Sequence, residues 1–218
     1  MPKAILFDID GTLVDSNEYH VLAWAEVFHA AGHDFRLADL HAQIGKGADN
    51  YVGALLPDLD QETAERLGKE HGRIFKERYF DRLQPFPGAH DLLARCHDAG
   101  LKVMLATSAS AAELDRHLDV LDARELIDGA TNADDVGCSK PCPDVFETAA
   151  RKAGVGPGEA LVIGDTPFDI EAASTAGMRT IAVRSGLFPD EQLSGAIAIY
   201  DDVADLLARF DSSPLTAR

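Results

Sequence analysis

An apolar run in the stretch KAILFDIDGTLVDSN stops at Asp8, and a second acid, Asp10, follows two positions on. On an extended segment, side chains two apart project to one side, so both carboxylates can face one site, and Gly11 lets the backbone turn and approach a ligand closely. Acids so placed repel each other unless a cation lies among them. Another apolar run ends at Gly164-Asp165, with Asp169 a little further on, and these add oxygen donors to the set. An all-oxygen environment suits Mg²⁺, which keeps several waters and favours phosphate oxygens, so magnesium and a phosphorylated substrate are expected together. Thr107-Ser108 close a third run and would present hydroxyl and backbone N–H groups to a phosphate. Lys140, in a loop before a helix start, would offset the carboxylates and hold the transferring phosphate oxygens.

Most of these residues also have a plainer reading. Asp8 and Asp10 could cap a turn, and Thr107 and Ser108 could be turn residues. Thr166-Pro167-Phe168-Asp169 has the form of a capping box, which makes Asp169 a helix cap, a metal ligand or both. A lone lysine is commonly a solvated charge. Cys96, Cys138 and Cys142 are odd in number, and the spacing of the last two is not that of a zinc knuckle, so all three are expected as free thiols.

Chemistry at run ends requires elements that bring those ends together. Bursts rich in Ile, Leu and Val at residues 4–7, 101–106, 161–163, 180–183 and 196–199 read as strands buried on both faces. Helical patterns alternate with them, as in GAHDLLARCHDAG, where Leu92, Leu93 and Cys96 share a face and Gly100 supplies a left-handed stop. Such alternation predicts an α/β fold: a Rossmann-like core with a parallel sheet flanked by helices, its ligands beyond the carboxyl ends of the strands. Residues 16–84 break the pattern with helical periodicity and no convincing strand, closing at QPFPG, which suits a stiff hinge. The expected organisation is therefore core over 1–15, an inserted α-helical cap domain over 16–84, and core again over 85–218. The last eight residues, 211–218, read as a frayed tail.

The chain has 218 residues, 46 % apolar and 26 % charged, enough for one core and an inserted unit. With 20 lysines and arginines against 37 acids the formal charge is −17, a field that repels nucleic acid and anionic membranes. No run reaches the length of a membrane span, and a reducing, cytoplasmic location is expected. The expected partner is a small phosphorylated substrate, with the chain itself a monomer or weak homodimer.

Four segments in order, FDIDGTLVDS, LATS, SKPCPDVF and VIGDTPFDIEAASTAGM, resemble the motifs of the haloacid dehalogenase superfamily, in its branch with a helical cap after the first strand. The resemblance implies magnesium-dependent phosphoryl transfer through an aspartyl phosphate. Asp8 resembles the nucleophile, and Asp10 the acid that protonates the leaving oxygen and then deprotonates water. Thr107 resembles the phosphate-binding hydroxyl, and magnesium would be held by Asp8, the backbone carbonyl of Asp10 and Asp165, with Asp169 beside them. Transfer needs Asp8 ionised and Asp10 protonated at that moment.

Substrate choice falls to the cap. DSNEYHVLAW is similar to the β-phosphoglucomutase segment whose histidine, here at His20, approaches substrate, and Lys46 in IGKGAD lies where that subfamily also carries a lysine. His20 reads equally as a helix-surface histidine. Gly164-Asp165 followed by Asp169, together with Thr12, is the pattern of the phosphatases rather than the mutases. The expected activity is hydrolysis of a sugar phosphate or phosphoglycolate, as in the phosphoglycolate phosphatases. The alternatives are a sugar-phosphate mutase and a non-catalytic phosphate-binding protein.

Overall fold

The computed structural model describes residues 1–216. Its main sheet is six-stranded, in the order β5-β4-β1-β6-β7-β8, and every neighbouring pair is parallel. The strands are β1 (Ala4–Phe7), β4 (Lys102–Ala106), β5 (Gly129–Thr131), β6 (Ala160–Gly164), β7 (Arg179–Val183) and β8 (Ala198–Tyr200). A separate two-stranded ribbon joins β2 (Val14–Asp15) to β3 (Gln84–Pro85), antiparallel.

β1 lies between β4 and β6, with Phe7 opposite Leu105 and Ile163. Alternation along these strands divides the core. Ile5, Phe7, Val103, Leu105, Leu161 and Ile163 pack on one face. Ala4, Leu6, Met104 and Val162 pack on the other, under Val145, Phe146 and Ala149 of α7 (Asp144–Ala153) and Ala172 and Ala173 of α8 (Pro167–Thr175). Both faces are dry, which is why the strands read as unbroken apolar bursts.

Helices α5 (Ala89–Asp98), α6 (Ala111–Leu121), α9 (Asp190–Leu193) and α10 (Val203–Ala208) complete the layers. Gly100 carries φ +76°, the left-handed stop expected after α5. Between β2 and β3 the chain builds a helical block of α1 (Asn17–Ala30), α2 (Leu37–His41), α3 (Ala48–Leu55) and α4 (Gln61–Tyr79). α1 and α4 pack along each other, with Tyr19 stacked on Tyr79, His20 on Phe75 and Trp24 on His71. Both connections of the block run through the β2–β3 ribbon. Among the described residues no helix is long and apolar enough to cross a membrane.

Two expectations need correction, and some elements had none. Cys138 and Cys142 are not free thiols: a turn brings their Cα atoms to 5.8 Å and they form a disulfide, leaving Cys96, buried, as the free cysteine. The end of the chain is not frayed over 211–216, because Leu215 is fully buried in the core and the Ser213 hydroxyl donates to the carbonyl of Phe210; 217–218 lie outside the described residues. β5 and the β2–β3 ribbon were not anticipated, being too short to carry an apolar period.

Candidate active site

The carboxyl ends of β1, β4 and β6 meet at one edge of the sheet, and each is followed by a residue with a polar side chain. Asp8 follows β1, Thr107 follows β4 and Asp165 follows β6, all buried. Lys140 arrives from the loop before α7. Its ammonium donates to Asp8 Oδ1 at 2.6 Å and to Asp169 Oδ1 at 2.8 Å, with the side chain 1 % exposed. It is therefore a buried bridging cation, not a solvated one.

The carboxylate oxygens of Asp165 and the second oxygen of Asp169 are also held. Asp165 accepts from Thr12 Oγ1 at 2.8 Å and from Asn17 Nδ2 at 2.9 Å. Asp169 closes a capping box: its backbone N–H donates to Thr166 Oγ1, and its Oδ2 accepts from the Thr166 hydroxyl and backbone N–H. The same residue thus caps α8 and faces Lys140. Oxygens of Asp8, Asp165 and Asp169 lie within 4.8 Å of one another. Burial pushes Asp8 well above the usual carboxylate range, against the pull of Lys140, and pushes Asp165 up to about 7. Burial alone would neutralise Lys140, yet Asp169 and Asp8 outweigh it and keep the lysine charged. Three buried carboxylates facing one ammonium form a hard-oxygen donor set that fits a divalent cation.

Asp10 sits apart from that cluster. Its Oδ1 accepts from Ser16 Oγ at 2.6 Å, lies 3.2 Å from His20 Nε2 and lies 3.3 Å from His117 Nε2. Burial raises Asp10, but His117 and His20, with hydrogen bonds from His20 and Ser16, overcome that and hold it well below the usual range. The resting bias thus runs opposite to the charge states expected for these two acids from the sequence. Two imidazoles flank Asp10, while Asp8 shares one ammonium with Asp169.

A cavity of about 990 Å³ opens over Asp8, Asp10, Thr107, Ser108 and Lys140. The hydroxyl oxygen of Ser108 is buried there without a hydrogen-bond partner. Thr107 Oγ1 accepts from the backbone N–H of Ala109, which leaves its own proton free to donate. His20 and Lys46 also line the cavity. His20 stacks on Phe75 at 3.7 Å between centroids and meets His71 at 3.3 Å, so it is anchored between Asp10 and α4. Lys46 donates to Gln43 and sits 4.6 Å over the Phe168 ring. Gly11 turns with φ +77° beside Asn17 and Asp165 and is not part of the cavity wall.

Several site residues escaped sequence reasoning. Ser16 and Asn17 stand inside the VDSN stretch without any sign of their long-range partners. At the start of α3, Asp49 and Asn50 bind the loop that carries Lys140: Asp49 accepts from the Ser139 backbone and hydroxyl, and Asn50 donates to the Ser139 carbonyl at 2.9 Å. His117 did leave a trace, since Leu114, His117 and Leu121 fall at core spacing on α6 and all are buried.

A family model described as haloacid dehalogenase-like hydrolase matches residues 2–177. The fructose-1-phosphate phosphatase YqaB of Escherichia coli (strain K12) is 30 % identical over 185 residues, covering 83 % of this chain and 95 % of that protein. Protein SUPPRESSOR OF QUENCHING 1, chloroplastic, of Arabidopsis thaliana is 32 % identical over 219 residues; the match takes in 94 % of this chain but spans only 20 % of that protein's length. The crystal structure of a hydrolase from Pseudomonas syringae superposes with a TM-score of 0.90 at 33 % identity, over 96 % of this chain and 98 % of that one.

Proposed function

The chain belongs to the haloacid dehalogenase-like hydrolases, and on that premise we propose a magnesium-dependent phosphatase that acts on a small phosphorylated metabolite, a sugar phosphate or phosphoglycolate, through an aspartyl phosphate. The observation that carries this reading is the buried Lys140 ammonium between Asp8 and Asp169, on the floor of a cavity that also holds the unpartnered Ser108 hydroxyl.

In the proposed reaction an Asp8 carboxylate oxygen attacks phosphorus while the ester P–O bond breaks, and Asp10 gives its proton to the leaving alkoxide. Water then attacks the aspartyl phosphate, Asp10 takes a proton from that water, and inorganic phosphate leaves with Asp8 restored. Lys140, the Thr107 and Ser108 hydroxyls and nearby backbone N–H groups hold the phosphoryl oxygens as their charge changes. Mg²⁺, held by Asp8, Asp165, Asp169 and the backbone carbonyl of Asp10, would neutralise charge between phosphate and carboxylates. The helical block serves as a lid, with His20 and Lys46 brought over the substrate and Asp49 and Asn50 closing on Ser139.

The test is a panel of phosphorylated metabolites with Mg²⁺, following both phosphate release and isomer formation, with β-glucose 1-phosphate included. Phosphate release is expected, and Asp8→Asn should lower it by roughly 10³-fold or more without unfolding the protein. A mutase would instead form isomer without releasing phosphate, and that result would overturn the phosphatase reading.

A further inference from the structure

His117 is fully buried, and neither of its ring nitrogens makes an aligned hydrogen bond. Its neighbours along the inward face of α6 are Leu114 and Leu121, so an apolar side chain would suit the position. A buried polar group without a partner is costly and rare, and where one persists beside a site residue it calls for a role. The group that His117 Nε2 faces is Asp10 Oδ1, at 3.3 Å.

Three groups converge on that oxygen. Ser16 donates to it and His20 Nε2 lies 3.2 Å away, whereas among the described residues no hydrogen bond reaches Asp10 Oδ2. Oδ1 is thereby the held oxygen and Oδ2 the one left to meet a substrate. Ser16 and His20 belong to the ribbon end and first helix of the helical block, while His117 stands on α6, which follows Thr107 and Ser108 on the sheet side.

We propose that His117 is a positioning residue for the acid–base carboxylate: it fixes Asp10 from the sheet side, so that Oδ2 meets the leaving oxygen while the helical block moves. The proposal rests on the phosphatase reading and on Asp10 as its acid. The proton concerned passes from Asp10 Oδ2 to the ester oxygen as the P–O bond breaks and the Asp8–phosphorus bond forms.

Leaving-group dependence tests this, because an alkoxide needs that proton and a p-nitrophenolate does not. The ratio kcat/KM reports the steps through phosphoryl transfer, so His117→Leu, His117→Gln and Asp10→Asn are each compared on an alkyl phosphate and on p-nitrophenyl phosphate. For His117→Leu we expect the alkyl ester to lose roughly 10- to 100-fold and the aryl ester less than about threefold, with the melting temperature unchanged or raised. His117→Gln, which keeps a hydrogen-bonding tip, should recover part of the alkyl loss and serves alone if the leucine variant misfolds. Equal losses on both esters, no loss on either, or a glutamine variant no better than a folded leucine variant overturns the proposal. Asp10→Asn separates the levels. If that variant discriminates between the esters and the His117 variants do not, positioning by His117 is wrong; if it shows no discrimination, the acid assignment fails and the proposal falls with it.

Discussion

At Gly11 the backbone must turn with φ +77°, and a Cβ built there would lie against Asn17 Nδ2 and Asp165 Oδ2, which are themselves hydrogen-bonded. Glycine therefore meets two needs, a left-handed turn and room for the pair that orients Asp165. Gly11→Ala should cost about 1–2 kcal/mol from backbone conformation alone. Displacing Asp165 should add a larger functional effect. We expect the variant to fold with a melting temperature lowered by roughly 2–8 °C and to need about 10- to 100-fold more Mg²⁺ for half-maximal phosphatase activity. A magnesium titration of activity beside a melting curve checks both. An unchanged magnesium requirement would mean that the Asn17–Asp165 pair does not set cation binding.

The loop between β5 and α7 carries Lys140 inside the ring closed by Cys138 and Cys142, and through Ser139 it also receives Asp49 and Asn50 from α3. One short element thus positions the bridging cation and ties the helical block to the sheet. Closing so small a loop contributes about 2 kcal/mol by chain entropy. Replacing both cysteines by serine should lower the melting temperature by roughly 4–8 °C and reduce kcat as Lys140 loses its fixed position. A dithiol reductant should reproduce both effects in the natural chain and leave the serine variant unaffected; a chain indifferent to reductant would sink the idea that the ring positions Lys140. None of this was legible in the sequence, since the distance between the cysteines depends on a turn that their spacing does not encode. β1, β4, β6 and β7 were legible because burial on both faces removes polar interruptions. β5 was not, because a three-residue, half-buried edge strand has no period to read. The same contrast holds in the site. Asp8, Thr107 and Asp165 end strands and announce themselves, whereas His117 and Asn17 take their meaning from partners distant in sequence.

Across the whole molecule the excess of acids, a formal charge of −17, culminates in a buried cluster that links stability to pH and has the donors for a metal ion. Asp165 titrates near 7 in the folded chain against an ordinary 3.8, and Asp8 is raised in the same direction. Between those values the folded state binds protons that the unfolded state has released, so metal-free stability declines as pH rises through that window. Asp10 acts in the opposite sense. Its depressed value contributes stability above the ordinary carboxylate range, and that contribution is lost in strong acid. Metal-free protein should therefore melt higher at mildly acidic pH, about 5, than at about 8. A divalent cation held by the ionised carboxylates would displace those protons, so its stabilisation would grow with pH. With chelator and then with about 10 mM Mg²⁺, the rise in melting temperature should be larger at about pH 8 than at about pH 5, and metal should flatten the decline. An equal or smaller gain at the higher pH would show that cation binding is not coupled to ionisation of Asp8 and Asp165, and would move the metal away from this cluster.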